Sequence, residues 1–387
     1  GKESAMQSKD AIRAIKERMN IVDIVRRYVE LRRNGPRWVA PCPFHQETKP
    51  SFSVNEDQGL FYCFGCHASG DIFDFYSRIN GLDFKETLEQ LAAEAGITIE
   101  RGPGSARQQG EERERRSSRQ QMLRMYELAA GHFAATLNSP DGQECRAYID
   151  KRGLSQEIVQ RFGLGWARRE WQSLADALRR AGFDMRMAAE AGLVGQSSGG
   201  RPYDRFRGRL IFPIKSLSNQ IIAFGGRVLG EGEPKYLNSP ETPLFEKGRE
   251  VFGLPQARSA LREKNTAIVV EGYMDVVALA QHGIGNAVAT LGTATTATHV
   301  QKLLRQVDRI VYCFDGDSAG KKAAWRALEN SLEALPEQKS IGFVFLPEKD
   351  DPDSFVRNQG KEAFERMITQ AVPLSEFLLR ELSSRCD

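Results

Sequence analysis

Apolar residues recur at helical spacing near the start of the chain, at Ile12, Ile15, Met19, Val22 and Val25, and predict helix between Lys9 and Tyr28. A turn-rich, aromatic-rich centre follows, in which SFSV and LFYC read as two strands joined by the polar turn NEDQG. Apolar positions at Phe84, Leu88, Leu91, Ala92 and Ala95 then predict a closing helix from Phe84 to Ala95, stopped by Gly96. Residues 101–121, RGPGSARQQGEERERRSSRQQ, have almost no apolar side chain and read as a flexible, solvated linker. Helical texture resumes with the stripe Met122, Met125, Leu128, Ala129 and Phe133. RLIFPI and IIAFGGR, separated by SLSNQ, predict a hairpin. From Thr266 onward short apolar strands (TAIVV, NAVAT, RIVYCF, SIGFVFLP) alternate with helices, the pattern of a mainly parallel sheet covered on both faces.

The organisation expected is therefore a small unit over 1–100, a linker over 101–121, a mixed segment over 122–260, an α/β segment over 261–370 and the start of a further helical part over 371–387. Composition narrows the class. The chain has 387 residues, 41% hydrophobic and 27% charged, which excludes a disordered or fibrous protein and a small disulfide-stapled scaffold. No apolar run is long enough to cross a bilayer, and Gly1 to Met6 lacks the basic-then-apolar order of a signal peptide; a cytoplasmic location is expected. Lys and Arg number 54 against 51 Asp and Glu, so any nucleic-acid reading must rest on local clustering rather than net charge.

Three of the six cysteines cluster: Cys42 with His45 in CPFH, Cys63 and Cys66 in CFGC, giving C-x2-H-x17-C-x2-C. Each x2 knuckle turns two side chains toward one ion, and four such ligands suit tetrahedral zinc in a zinc ribbon. Four protein ligands leave no open position for water, so the zinc is expected to be structural. His67 then falls outside the ligand set, and Cys145, Cys313 and Cys386 have no paired spacing. Arg32, Arg33, Arg37, Trp38 and Lys49 stand close in sequence to Phe52, Phe61, Tyr62 and Phe64. Cations mixed with stacking surfaces suit single-stranded nucleic acid, although Phe52 and Phe61 also suit a small core.

A second constellation is acidic. Glu271 ends the strand of IVVEGYMD with Asp275 one turn on; IVYCFDGD delivers Asp315 and Asp317; DDPD supplies Asp351 and Asp353. Ligands bind at the carboxyl ends of strands in open parallel sheets, so these acids are expected to meet in one crevice and to need Mg²⁺ or Mn²⁺ there. Asp353 is the weakest member and could serve only to cap a turn. Residues 201–249 hold nine Lys/Arg against five Asp/Glu, a basic strip suited to phosphate backbone or triphosphate, or else a solvated charged face. GDSAGKK is too short for a phosphate loop, FGGRVLGEG lacks a strand-to-helix context, and His132, His282 and His299 have no nucleophile in sequence reach.

With CPFH…CFGC followed by RFRGRLIFPI, FGGRV, PKYLNSPET, VVEGYMDV, FDGDSAG and DPDSF, the sequence closely resembles the bacterial DnaG-type DNA primases. The resemblance implies a multidomain α/β protein: a zinc ribbon, a linker, and a mixed α+β RNA polymerase domain containing a TOPRIM parallel fold. It implies synthesis of short RNA primers on single-stranded DNA from ribonucleoside triphosphates, with an RNA–DNA hybrid as product. Glu271, Asp315 and Asp317 would hold the catalytic Mg²⁺ or Mn²⁺, with Asp275 and Asp353 in support. Lys235, Tyr236, Asn238 and Lys247 would line the nucleotide site, and Arg205, Arg207, Arg227, Arg37, Trp38 and Lys49 would contact DNA. Family members continue into a helical bundle that binds the replicative helicase, a region not found before the chain stops at Asp387. The rival readings are a TOPRIM nuclease or topoisomerase-like enzyme and a non-catalytic module for single-stranded DNA.

Overall fold

The structure, a computed structural model, describes residues 5–44, 49–100, 106–196, 199–316, 318–332 and 335–385. It divides into two compact units, Gly1–Ser118 and Arg119–Asp387, the division falling inside the segment expected to be a linker. That segment is not an irregular tether throughout: helix runs from Ala106 to Leu137. The difference has a local cause. The segment is rich in Arg, Gln and Glu, all strong helix formers, and Glu111 pairs at one-turn spacing with Arg107 (3.6 Å) and Arg115 (3.8 Å).

In the first unit, strands Arg32–Asn34, Arg37–Ala40, Phe52–Asn55, Leu60–Cys63 and Ser69–Gly70 form an antiparallel sheet in chain order. The hairpin read from SFSV and LFYC is present, with Phe52 opposite Cys63 and Val54 opposite Phe61, and Gly59 takes a positive φ of 67° in its turn. Helices Ser8–Arg18, Ile21–Val25, Ile72–Asn80 and Phe84–Ala95 complete the unit. The last has the expected limits: Asp83 and Glu86 form a capping box at its start, and Gly96 ends it in the left-handed conformation. Phe52, Phe61 and Phe75 are buried and in mutual ring contact, with Phe52 and Phe61 stacked at 5.4 Å; these two aromatics build the core rather than a surface.

The second unit contains two principal sheets. Tyr236–Asn238, Ile221–Val228, Arg209–Lys215 and Gly165–Ala167 form an antiparallel sheet in that order, centred on the predicted hairpin. The other sheet has the order Ala287–Ala289, Thr266–Val270, Arg309–Phe314, Ser340–Phe345, Val372–Pro373, parallel except for the last pair. The first parallel strand thus lies between the second and the third. The connection leaving Thr266–Val270 runs to Ala287–Ala289 on one side and that leaving its neighbour Arg309–Phe314 runs to Ser340–Phe345 on the other, which opens a crevice beyond the carboxyl ends of these two strands.

One hydrophobic core joins the two sheets, and Tyr273 is its pivot. Its ring stacks on Phe212 at 5.3 Å and meets Phe252 edge-on at 5.1 Å. The approach requires a strand without a side chain, since a Cβ on Gly225 would lie 2.4 Å from the Tyr273 ring. Gly225→Ala is therefore expected to destabilise this unit by roughly 1–3 kcal/mol through overpacking. Urea unfolding of the Arg119–Asp387 unit would measure this, and an unchanged midpoint would refute the packing role.

Candidate functional site

The ribbon's knuckles bring Cys42, Cys63 and Cys66 together with their sulfurs all within 4.8 Å of one another. Cys42 and Cys66 stand 3.8 Å apart, the edge of a tetrahedron of sulfurs at about 2.3 Å from a central zinc, and too far for a disulfide. The backbone N–H of Phe44 points at the Cys42 sulfur (3.3 Å) and that of Cys66 at the Cys63 sulfur (3.5 Å). Burial pushes the Cys42 thiol up to about 12. At Cys63 burial also raises the thiol, but hydrogen bonds with Cys66, Ser51, Gly65 and Cys42 outweigh it and bring the group down to about 7. These three residues fit zinc; His45, the expected fourth ligand, lies outside the described residues. His67 is turned elsewhere, its Nδ1 hydrogen-bonded to the Tyr62 hydroxyl at 2.8 Å.

Arg37 and Lys49 are exposed, as is Phe64 at 63%. Trp38 is already engaged: the guanidiniums of Arg26 and Arg33 stand 4.5 and 5.4 Å from its ring, and its indole N–H donates to Glu56 at 2.9 Å.

In the second unit Glu271 follows the strand Thr266–Val270 and is exposed; Asp315 follows the neighbouring Arg309–Phe314. Gly316 lets the chain pass against the next strand's end, because a Cβ there would lie 2.1 Å from the Leu346 carbonyl oxygen. Asp317 lies outside the described residues. Asp275 occupies the first turn of the helix Tyr273–Gln281, and its carboxyl accepts the Asp353 N–H at 3.3 Å. Burial raises the Asp275 carboxyl well above its ordinary range, and the nearby Asp351, Asp315 and Asp353 carboxylates add to the effect. The acids expected from separate strands therefore do sense one another. Among the described residues they do not close to metal-ligand spacing, as like charges without a cation would not.

Asp353 is a special case. It is buried, and both its oxygens carry cationic partners: Arg152 at 3.1 Å and Arg357 at 3.0 Å. The start of its helix, Pro352–Gln359, is capped by Asp351 through a capping box with Ser354. Arg152 escaped sequence reasoning because it lies in an unremarkable helical stretch about 200 residues from Asp353, where only the folded chain shows the pairing.

The basic strip is partly structural. Arg209 is buried and donates to the Gly226 and Pro234 carbonyls, and Arg205 donates to the Asn238 carbonyl through Nε (3.2 Å) and Nη2 (2.7 Å). Arg207 lies 3.8 Å over the ring of Trp171, which is 59% exposed. Arg227 lies 4.8 Å over Tyr148, and among the described residues its buried Nε and the Asn238 side-chain oxygen have no hydrogen-bond partner. Arg227 and Lys235 line a concave site of ≈ 390 Å³ together with the turn Gly230–Pro234, and Tyr236 stands beside it, partly exposed. Lys235 and Lys247 both belong to this region of the chain, on either side of the strand Tyr236–Asn238.

Three family models match: a CHC2 zinc finger over 7–107, the N-terminal domain of a DNA primase catalytic core over 132–258, and a Toprim-like domain over 268–356. The DNA primase of Escherichia coli strain K12 is 43% identical over 96% of this chain, which spans 63% of that protein's length. Among solved structures, a DnaG primase catalytic domain bound to ssDNA is similar at 45% identity, over 70% of this chain and 87% of that one, with a TM-score of 0.66. The zinc-binding and RNA polymerase domains of the Aquifex aeolicus primase are similar at 30% identity, over 96% of this chain and 87% of that one, with a TM-score of 0.64. Among the described residues, no helix is long and apolar enough to cross a membrane.

The zinc site yields a direct prediction. Removing one of the three clustered sulfurs with Cys63→Ser should release the metal and unfold the ribbon, while divalent binding by the second unit persists. Elemental analysis of the purified variant checks this; stoichiometric zinc would refute the ligand assignment.

Proposed function

The chain belongs to the family of DnaG-type DNA primases, and from that premise we propose that it makes short RNA primers on single-stranded DNA by metal-dependent nucleotidyl transfer. The observation that carries the reading is the placement of Glu271 and Asp315 after the carboxyl ends of two adjacent parallel strands, near a buried Asp275 whose carboxyl is raised first by burial and then by the Asp351, Asp315 and Asp353 carboxylates.

Glu271, Asp315 and Asp317 would hold Mg²⁺ or Mn²⁺, and Asp275 would support them. A divalent ion there supplies a lowered pKa for the attacking 3′-hydroxyl and offsets charge growing on the phosphoryl oxygens as pyrophosphate leaves. The chain's own residues do the binding and aiming. Lys235 and Lys247 hold the triphosphate, with Tyr236 and Asn238 beside it. Arg227 offers an unpaired buried N–H next to the concave site, the kind of donor a phosphate oxygen would satisfy. Arg207 with Trp171, and Arg37 with Lys49 on the ribbon, take the template strand, Trp38 joining them once a base displaces one of its two arginines. Arg205 acts by fixing the Asn238 carbonyl rather than by reaching far into solvent. Asp353, paired with Arg152 and Arg357, anchors its helix so that the Asp353 N–H meets Asp275.

Labelled ribonucleotides supplied with single-stranded DNA and Mg²⁺ should yield short RNA, whereas cut DNA would mean a nuclease and no product a binding module. Asp317→Ala should lower primer synthesis by about a thousandfold or more while leaving template affinity nearly unchanged, because an acid repels DNA. Lys235→Ala should instead weaken nucleotide use and reduce its salt slope by about one unit. Primer synthesis by Asp317→Ala at the parent rate would overturn the metal assignment.

A further inference from the structure

The chain around Lys247 is gripped by a set of contacts that neither the acids nor the basic strip requires. Thr296, His299 and Lys302 follow one another at three-residue spacing at the start and along one face of the helix Ala297–Leu304. The Thr296 hydroxyl donates to the Gly248 carbonyl at 2.6 Å, His299 Nε2 donates to the Lys247 carbonyl at 2.8 Å, and the Lys302 ammonium pairs with Glu250 at 3.3 Å. His299 is fully buried, and its Nδ1 accepts the Thr296 N–H at 3.1 Å. That acceptor role fixes the tautomer, since the proton must then sit on Nε2. Burial pushes the imidazole below its ordinary range, keeping it neutral and its bonds directed.

The Lys247 backbone is held from the other side as well, its N–H facing both Glu241 carboxylate oxygens at 3.2 Å. Both of its main-chain groups are thus taken, while its ammonium makes no hydrogen bond or ion pair among the described residues. An aliphatic residue could fill the His299 site at less desolvation cost; what the imidazole adds is the bond it accepts from Thr296 and, through its other nitrogen, one aimed bond to Lys247.

We propose that His299 is a positioning residue, which fixes the Lys247 backbone so that the lysine ammonium is presented to the triphosphate of an incoming ribonucleotide. The inference rests on the nucleotide role given to Lys247 above.

The test uses the full chain, Mg-ATP as the probe, equilibrium binding, and amide exchange at Lys247, Arg249 and Glu250. His299→Asn retains an acceptor for the Thr296 N–H but cannot reach Lys247; it should weaken ATP binding roughly five- to tenfold and speed exchange at the three amides. His299→Gln, whose amide N–H reaches the position of Nε2, should restore most of both. Lys247→Ala should weaken binding similarly, and the double variant with His299→Asn should bind no worse than Lys247→Ala alone. Unchanged exchange in His299→Asn, unchanged ATP affinity in that variant, or losses that multiply in the double variant would each overturn the inference. A parent chain that bound no ATP would overturn the proposed function itself, which separates the two failures.

Discussion

Carboxylates delivered to one crevice by adjacent parallel strands repel one another, and most of the second unit's design follows from containing that repulsion. The strand order places the ends of Thr266–Val270 and Arg309–Phe314 side by side, so Glu271 and Asp315 are neighbours by topology rather than by sequence. Burial raises the Asp275 carboxyl above its ordinary range, and the neighbouring Asp351, Asp315 and Asp353 carboxylates add to the effect. One member of the group, Asp353, is neutralised within the protein by Arg152 and Arg357. A divalent cation held between Glu271 and Asp315 would offset their charge.

Holding such a crevice open requires a rigid frame. Tyr273, two residues beyond Glu271, is buried in the joint core of the two sheets, so the acidic turn is tied to the antiparallel sheet that carries the basic strip. Gly225 beneath the tyrosine ring and Gly316 between the acids of FDGD permit close approach here, because a Cβ would meet a ring or a carbonyl. In the ribbon unit the relation of charge to fold is reversed. Its three sulfurs sit at zinc spacing on the knuckles of a small sheet, and the cation serves the fold instead of the chemistry.

Sequence reading succeeded where the determining contacts are local or obey a strand-end rule. The zinc knuckles, the Phe52–Cys63 hairpin and the capped helix Phe84–Ala95 depend on residues within a few positions of one another. The placement of Glu271 and Asp315 after neighbouring strand ends was legible because alternating strands and helices imply a parallel sheet and its carboxyl edge. Helix in 106–121 was missed because low apolar content was weighed above helix propensity and one-turn charge pairs. Arg152 with Asp353, Arg205 with Asn238, and His299 with Lys247 join residues 33 to about 200 positions apart, and nothing in either local pattern announces the partner. Sequence gives His299 no nucleophile partner, whereas its partner in the structure is a backbone carbonyl, which no motif records.

Acids gathered at the switch between the two parallel strands would form a divalent-cation site. Anomalous diffraction from crystals soaked in Mn²⁺ tests it most directly. The account predicts manganese within coordination distance of Glu271 and Asp315, beyond the ends of their strands, and none beside Asp353 with its two arginines. Manganese bound elsewhere, or a crevice left empty at saturating Mn²⁺, would contradict it.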